Sequence, residues 1–307
     1  MVPAVVESIA ALRARLAAAR AGGSRIGLVP TMGALHDGHA RLIEEARRTC
    51  GTVVVTIFVN PLQFDRPDDL AGYPRALEAD VAMCERLGAD VVFAPSVAEM
   101  YPAEPRCTIE VTRIVDHLCG NRRPGHFSGV ATVVMKLLQI AQPDAAYFGE
   151  KDAQQLAVIR RLVADFNVPV AIVEVPTVRE SDGLAMSSRN RLLTSSERQI
   201  ATALYLALME ADRLIAGGGR DAEAIRSAAT ATIPADPSLR LEYLDVVDPD
   251  DMQPVARIAG PVRVAGALWV GTTRLIDNVL CSSSPPSSWP PASPRQSGQR
   301  PPRSRAE

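Results

Sequence analysis

Apolar residues along the chain alternate between two spacings. Unbroken runs at Ile26 to Val29, Thr52 to Val59, Asp90 to Ala94, Ala145 to Phe148 and Val170 to Val175 read as strands buried on both faces. Between them, stretches near 37–49, 75–88, 129–141 and 152–166 repeat their apolar residues at three and four, the spacing of a helix with one buried side. Such alternation over residues 1–176 predicts an α/β fold, a parallel sheet with helices on both faces.

The pattern changes after residue 176. Residues 177–194 form a polar connection, followed by an Ala/Leu-rich helix from about Ser196 to Ala216, a stop at Gly217-Gly218-Gly219 and a second helical stretch near 221–232. Strand-like Leu241 to Val247 and Val262 to Val270 complete what reads as a smaller α+β C-terminal domain over 177–281. Residues 282–307 are rich in Ser, Pro and Arg with almost no aliphatics, so disorder is the expectation there. The arginines of that stretch could meet an acidic partner, but a solvated tail is the simpler reading.

Composition narrows the function classes. The 307 residues have room for one large or two modest domains. A net charge of −2 and 4% aromatic residues give no electrostatic footprint for nucleic acid. The five cysteines are scattered without a CxxC pair, which suggests neither a disulfide framework nor a zinc site and fits a reducing cytoplasm. The first residues lack the apolar core of a signal peptide, and no run approaches the ~20 apolar residues of a membrane span. A soluble cytoplasmic protein is expected.

The chemistry concentrates in Pro30-Thr31-Met32-Gly33-Ala34-Leu35-His36-Asp37-Gly38-His39, directly after the first apolar run and before a helix. Unpaired N–H groups and the positive end of the dipole at a helix N-terminus favour phosphate, and Gly33 and Gly38 allow close approach to the backbone. His36 and His39, three residues apart, face the same way across one turn. Other polar segments also follow strands: Asn60-Pro61-Leu62-Gln63-Phe64 and Gly149-Glu150-Lys151-Asp152. Ligands of parallel sheets bind at the carboxyl ends of the strands, so these segments converge.

The decapeptide resembles the nucleotide-binding signature of the pantothenate synthetase family, within the HxGH nucleotidyltransferase superfamily. Further segments resemble the same family in order: Ile57 to Phe64, Tyr73-Pro74-Arg75, Arg123 to Phe127, Phe148 to Asp152, Gln154-Gln155-Leu156, and Asp182 to Asn190. The resemblance implies a Rossmann-like sheet and ATP-dependent joining of pantoate to β-alanine through a pantoyl adenylate. It implies ATP contacts at Met32 to His39, Gly149 to Asp152, Val178 and Met186 to Arg189, with His36, His39, Lys151 and Arg189 as the catalytic groups and His39 as proton donor. Gln63 is assigned to pantoate and β-alanine, Gln155 to pantoate, and Tyr73 to the β-alanine or phosphate region. Mg²⁺ is expected with ATP, with Asp80 as its candidate ligand, and a homodimer is expected as the assembly.

Each assignment has a plainer counterpart. Lys151 could be a surface lysine beside Glu150, Ser187 and Ser188 a turn, a lone Gln a surface residue, and Tyr73 an aromatic packed under a loop. Arg123, His126 and His117 are read as structural. Two other functions compete: an HxGH nucleotidyltransferase acting on another small acceptor, and a non-catalytic nucleotide-binding regulator. A fused nucleoside-kinase domain, present in some relatives, is not expected, since no GxxxxGK[ST] loop follows.

Overall fold

A computed structural model describes residues 2–282. Except for Ser282, the segment expected to be disordered lies outside the described residues. The first part of the chain runs β1 (Ala4–Val6), α1 (Ile9–Ala21), β2 (Ile26–Thr31), α2 (Asp37–Thr49), β3 (Thr52–Ile57), α3 (Pro67–Ala71), α4 (Leu77–Arg86) and β4 (Val91–Phe93). It continues with α5 (Val97–Met100), α6 (Leu118–Arg122), α7 (His126–Ala141), β5 (Ala145–Gly149), α8 (Ala153–Asp165) and β6 (Ala171–Val175). The remainder comprises α9 (Ser195–Ile200), α10 (Ala203–Ala216), α11 (Ala222–Ala231), β7 (Leu239–Val247), β8 (Val262–Val270) and β9 (Thr273–Cys281).

Strands β1 to β6 form one sheet in the order β1-β4-β3-β2-β5-β6, with every pair parallel. The pleat explains the continuous apolar runs. Ile26, Leu28, Val54, Val91 and Phe93 enter one buried cluster with α1, α7 and α8, while Val29, Val53, Val55 and Val92 enter another with α2 and α4. From β2 the chain steps outward to β3 and β4, then returns to β5 on the other side of β2. This reversal opens a crevice beyond the carboxyl ends of β2 and β5.

Two differences from the expected elements lie at the N-terminus. β1 and α1 carry too little periodicity to be read from sequence, since the strand has three residues and the helix buries only Leu12 and Leu16. Ser8 starts α1 by accepting a hydrogen bond from the N–H of Ala11.

The second sheet is antiparallel, in the order β7-β8-β9. The helix expected over 196–216 is two helices. Thr194 and Glu197 form a reciprocal capping box at the start of α9, and α10 then buries Leu204, Leu208, Ala211 and Ile215 against the sheet. β9 is an additional strand, hydrogen-bonded to β8 along its whole length. The opposite face of the sheet meets the large sheet's layer, where Val247, Met252 and Ala265 join the cluster containing α7 and α8.

Candidate active site

The loop from β2 to α2 is held from below. Gly33 and Ala34 have φ of +84° and +51°, which turns their neighbouring N–H groups inward. The Asp80 carboxylate accepts from the N–H of Ala34 at 2.9 Å and of Leu35 at 2.8 Å. Asp80 is 3% exposed, and both its oxygens are engaged in bracing the loop. Among the described residues no group of three His, Cys, Asp or Glu could hold a metal ion. Burial raises the Asp80 carboxyl above its ordinary range, against the lowering effect of those two hydrogen bonds.

His36 caps α2 and sets its own chemistry in doing so. The N–H of Gly38 donates to His36 Nδ1 at 3.1 Å, and the N–H of His36 donates to His39 Nδ1 at 3.3 Å. A ring nitrogen that accepts carries no proton, so both imidazoles are Nε2–H tautomers. Burial, with Lys151 nearby, lowers His36 to about 4, and burial, with His36 beside it, lowers His39 to about 3. Both rings are therefore neutral near pH 7, below the ordinary histidine value of about 6.5. Their centroids are 4.1 Å apart, and both line one cavity of about 470 Å³ beyond the ends of β2 and β5. Gly38 is required here, since a Cβ would lie 2.8 Å from His36 Cε1.

Gln63 lies across the cavity in a short 3₁₀ turn, Pro61–Gln63, after β3. Asn60 orients it. The Asn60 Nδ2 donates to Gln63 Oε1 at 3.2 Å and to the carbonyl of Gly129 at 3.1 Å, and Asn60 Oδ1 accepts from the Tyr101 hydroxyl at 2.9 Å. The Gln63 carbonyl accepts from His126 Nδ1 at 2.7 Å, and Arg123 pairs with Asp65 at 2.7 Å beside it. Arg123 and His126, read from sequence as structural, also line the cavity. Tyr73 is buried, lines the same space and meets Phe64 edge-on at 5.7 Å.

β5 delivers the opposite wall. Lys151, Asp152 and Gln155 line the cavity, together with the preceding Gln154. Its amide receives the N–H of Gly120 and donates to the carbonyls of Ile114 and His117, both at 2.8 Å. Asn278 on β9 donates to the carbonyls of Glu150 and Lys151, each at 2.9 Å. Sequence reading gave Asn60, Gln154 and Asn278 no role of their own, because nothing local marks an amide that holds carbonyls tens of residues away.

Residues 177–192 fold over the N-terminus of α2. The N–H of Met186 donates to the Val178 carbonyl at 2.9 Å, and Met186 packs near Gly38. Ser187 Oγ accepts from the N–H of Arg189 and starts a 3₁₀ turn over Ser188–Leu192. Ser187, Ser188 and Arg189 line the cavity, and Arg189 pairs with Asp69 at 3.4 Å. Met32 joins them there. The expected contacts Gly33, Ala34, Leu35, Asp37, Gly38, Gly149, Glu150, Val178 and Met186 are not among the lining residues. Ala34 and Leu35 are buried, and Asp37 is exposed. Phe58, Val130, Val133, Val134 and Phe148 add an apolar wall that the sequence reading did not single out. The three valines lie on the apolar helix α7, whose pattern does not mark the side that faces the cavity.

The histidine pair, Lys151 and Arg189 thus share one cavity with Gln63, Gln155 and an apolar wall. The family model for pantoate-beta-alanine ligase matches residues 4–280. The chain belongs to the pantoate-beta-alanine ligase family. It is 50% identical over 276 residues to the pantothenate synthetase of Moorella thermoacetica, covering 90% of this chain and 98% of that protein. It is 52% identical over 264 residues to a bifunctional pantoate ligase/cytidylate kinase of Synechococcus elongatus, covering 85% of this chain and spanning 50% of that relative's length. The crystal structure of pantothenate synthetase from Thermus thermophilus superposes with a TM-score of 0.86 at 43% identity, covering 92% of this chain and 100% of that one. A Francisella tularensis pantoate-beta-alanine ligase, complexed with β-γ ATP and β-alanine, superposes with a TM-score of 0.75 at 37% identity, covering 91% and 97% of the two chains. Family membership and the Rossmann-like sheet therefore agree with the reading of the sequence motifs.

Proposed function

We propose that this chain condenses pantoate with β-alanine at the expense of ATP. The observation that carries the reading is the convergence of His36, His39, Lys151 and Arg189 with Gln63 and Gln155 around one cavity. An ionised carboxylate is a poor acyl donor because oxide is a poor leaving group. Attack of the pantoate carboxylate on the α-phosphorus of ATP makes an acyl adenylate and breaks the bond to pyrophosphate. The β-alanine amine then attacks the acyl carbon, the amide forms, AMP departs, and the amine loses a proton.

The protein's part is position and charge. The Nε2–H groups of His36 and His39 are suited to donate to phosphate oxygens, and Lys151 and Arg189 offset the charge growing on pyrophosphate. Ser187 and Ser188 add hydroxyl donors. Gln63 and Gln155 donate and accept without bringing a competing charge, and the apolar wall at Val130, Val133 and Val134 suits the dimethyl carbon of pantoate. His39, neutral in the free protein, serves as proton donor only once a phosphate beside it has raised its affinity for a proton.

Mg²⁺ enters as the ATP complex, with phosphate and water as its main ligands. A homodimer and a cytoplasmic location belong to the same reading. No helix among the described residues is long and apolar enough to cross a membrane. The test is AMP formation with pantoate and β-alanine omitted in turn, together with pyrophosphate–ATP isotope exchange. Exchange that requires pantoate and AMP release that requires β-alanine support the proposal. Consumption of ATP with neither substrate present refutes it, and favours a nucleotidyltransferase of different acceptor.

A further inference from the structure

The small sheet lines one side of the cavity, and Asn278 is the residue by which it also holds the turn carrying Lys151. Asn278 sits on β9, 5% exposed, with all its hydrogen-bonding groups engaged. Its Nδ2 donates to the carbonyls of Glu150 and Lys151, both at 2.9 Å, and its Oδ1 accepts from Arg263 Nη1 on β8. Arginine only donates and a carbonyl only accepts, so the amide has a single workable orientation. Its two N–H bonds must face the turn that carries Lys151. These carbonyls lie in the 3₁₀ turn Glu150–Asp152, between β5 and α8. A carboxylate of the same shape would keep Arg263 but turn an oxygen towards two carbonyls, and an aliphatic residue would leave three partners unsatisfied.

We propose that Asn278 is a positioning residue: by clamping the Glu150-Lys151 backbone it fixes where the Lys151 ammonium stands against the phosphates. The inference rests on the reading of Lys151 given above. It makes the antiparallel sheet part of the nucleotide site, although none of its motifs resembles a phosphate loop.

The experiment compares Asn278→Asp, Lys151→Ala and the double variant in pantoate-dependent pyrophosphate–ATP exchange, with thermal unfolding of each. Asn278→Asp is expected to keep its unfolding midpoint within a few degrees and its KM for pantoate, and to lose about ten- to a hundred-fold in kcat/KM for ATP. The double variant should be no worse than Lys151→Ala alone, because the two act through one group. Parent-like exchange by Asn278→Asp beside an impaired Lys151→Ala overturns the proposal, and so do losses that multiply in the double variant. Parent-like exchange by Lys151→Ala instead removes the functional reading on which the proposal stands. Should Asn278→Asp fail to fold, Asn278→Ser, which replaces the two amide donors by one shorter hydroxyl without burying a charge, is judged by the same outcomes.

Discussion

At the scale of single residues, the placing of the histidine pair at a strand-to-helix turn was legible, but its protonation was not. A sequence assigns histidine its ordinary titration range. The two backbone N–H donors and the burial that hold both rings neutral arise only when α2 starts at His36. Two predictions follow from that neutrality. Because both rings bind protons more weakly folded than unfolded, stability is complete above about pH 6.5 and is lost progressively as pH falls towards about 4. His126, lowered by burial to about 4, acts in the same direction. Denaturant midpoints measured from pH 7 to pH 4 should fall accordingly, and a midpoint that rises on acidification contradicts the assignment. Binding of a triphosphate should also draw protons onto these rings. Calorimetry of a non-hydrolysable ATP analogue in buffers of different ionisation heat is expected to show net proton uptake, and affinity that strengthens at lower pH. Gly38→Ala checks the geometry. Its Cβ would displace the His36 ring, and kcat/KM for ATP should fall at least ten-fold while pantoate protection of the fold persists.

Among the elements, the parallel strands and long helices could be read because burial on both faces leaves unbroken apolar runs, and burial on one side leaves a helical period. β1, α1 and β9 escaped because three residues give no period, an Ala-rich helix shows little contrast, and β9 mixes Asp277 and Asn278 into its buried positions. Contact between elements was less legible still. α7 approaches the 3₁₀ turn holding Gln63 so closely that a Cβ at Gly129 would lie 2.2 Å from the Leu62 carbonyl. Gly129→Ala must therefore push the turn and the helix apart. It is expected to cost about 1–3 kcal/mol in stability and to raise KM for pantoate. Equilibrium unfolding and initial-rate kinetics check both, and an unchanged KM would separate the turn from the pantoate end.

Across the whole molecule, the two sheets are joined by polar contacts that no local pattern announces. Arg179, leading into the segment over α2, pairs through two nitrogens with Asp277 on β9 at 2.6 and 3.0 Å. Asp277 is 5% exposed, so removing Arg179 strands a buried carboxylate. Arg179→Met is expected to cost about 3–5 kcal/mol by chemical denaturation, and Arg179→Met combined with Asp277→Leu considerably less. Equal losses in both would place the stabilisation elsewhere. The overall reaction was implied by the family resemblance of segments within residues 25–195, yet the brace on the Lys151 turn, Asn278, comes 127 residues after that lysine. During synthesis, the ribosome therefore makes the Lys151 turn well before the strand that steadies it. A nascent chain stopped short of β9 would carry every recognisable motif and still lack the clamp on Lys151, so, on the role proposed for Asn278, full competence with ATP arrives only when this last hairpin has emerged.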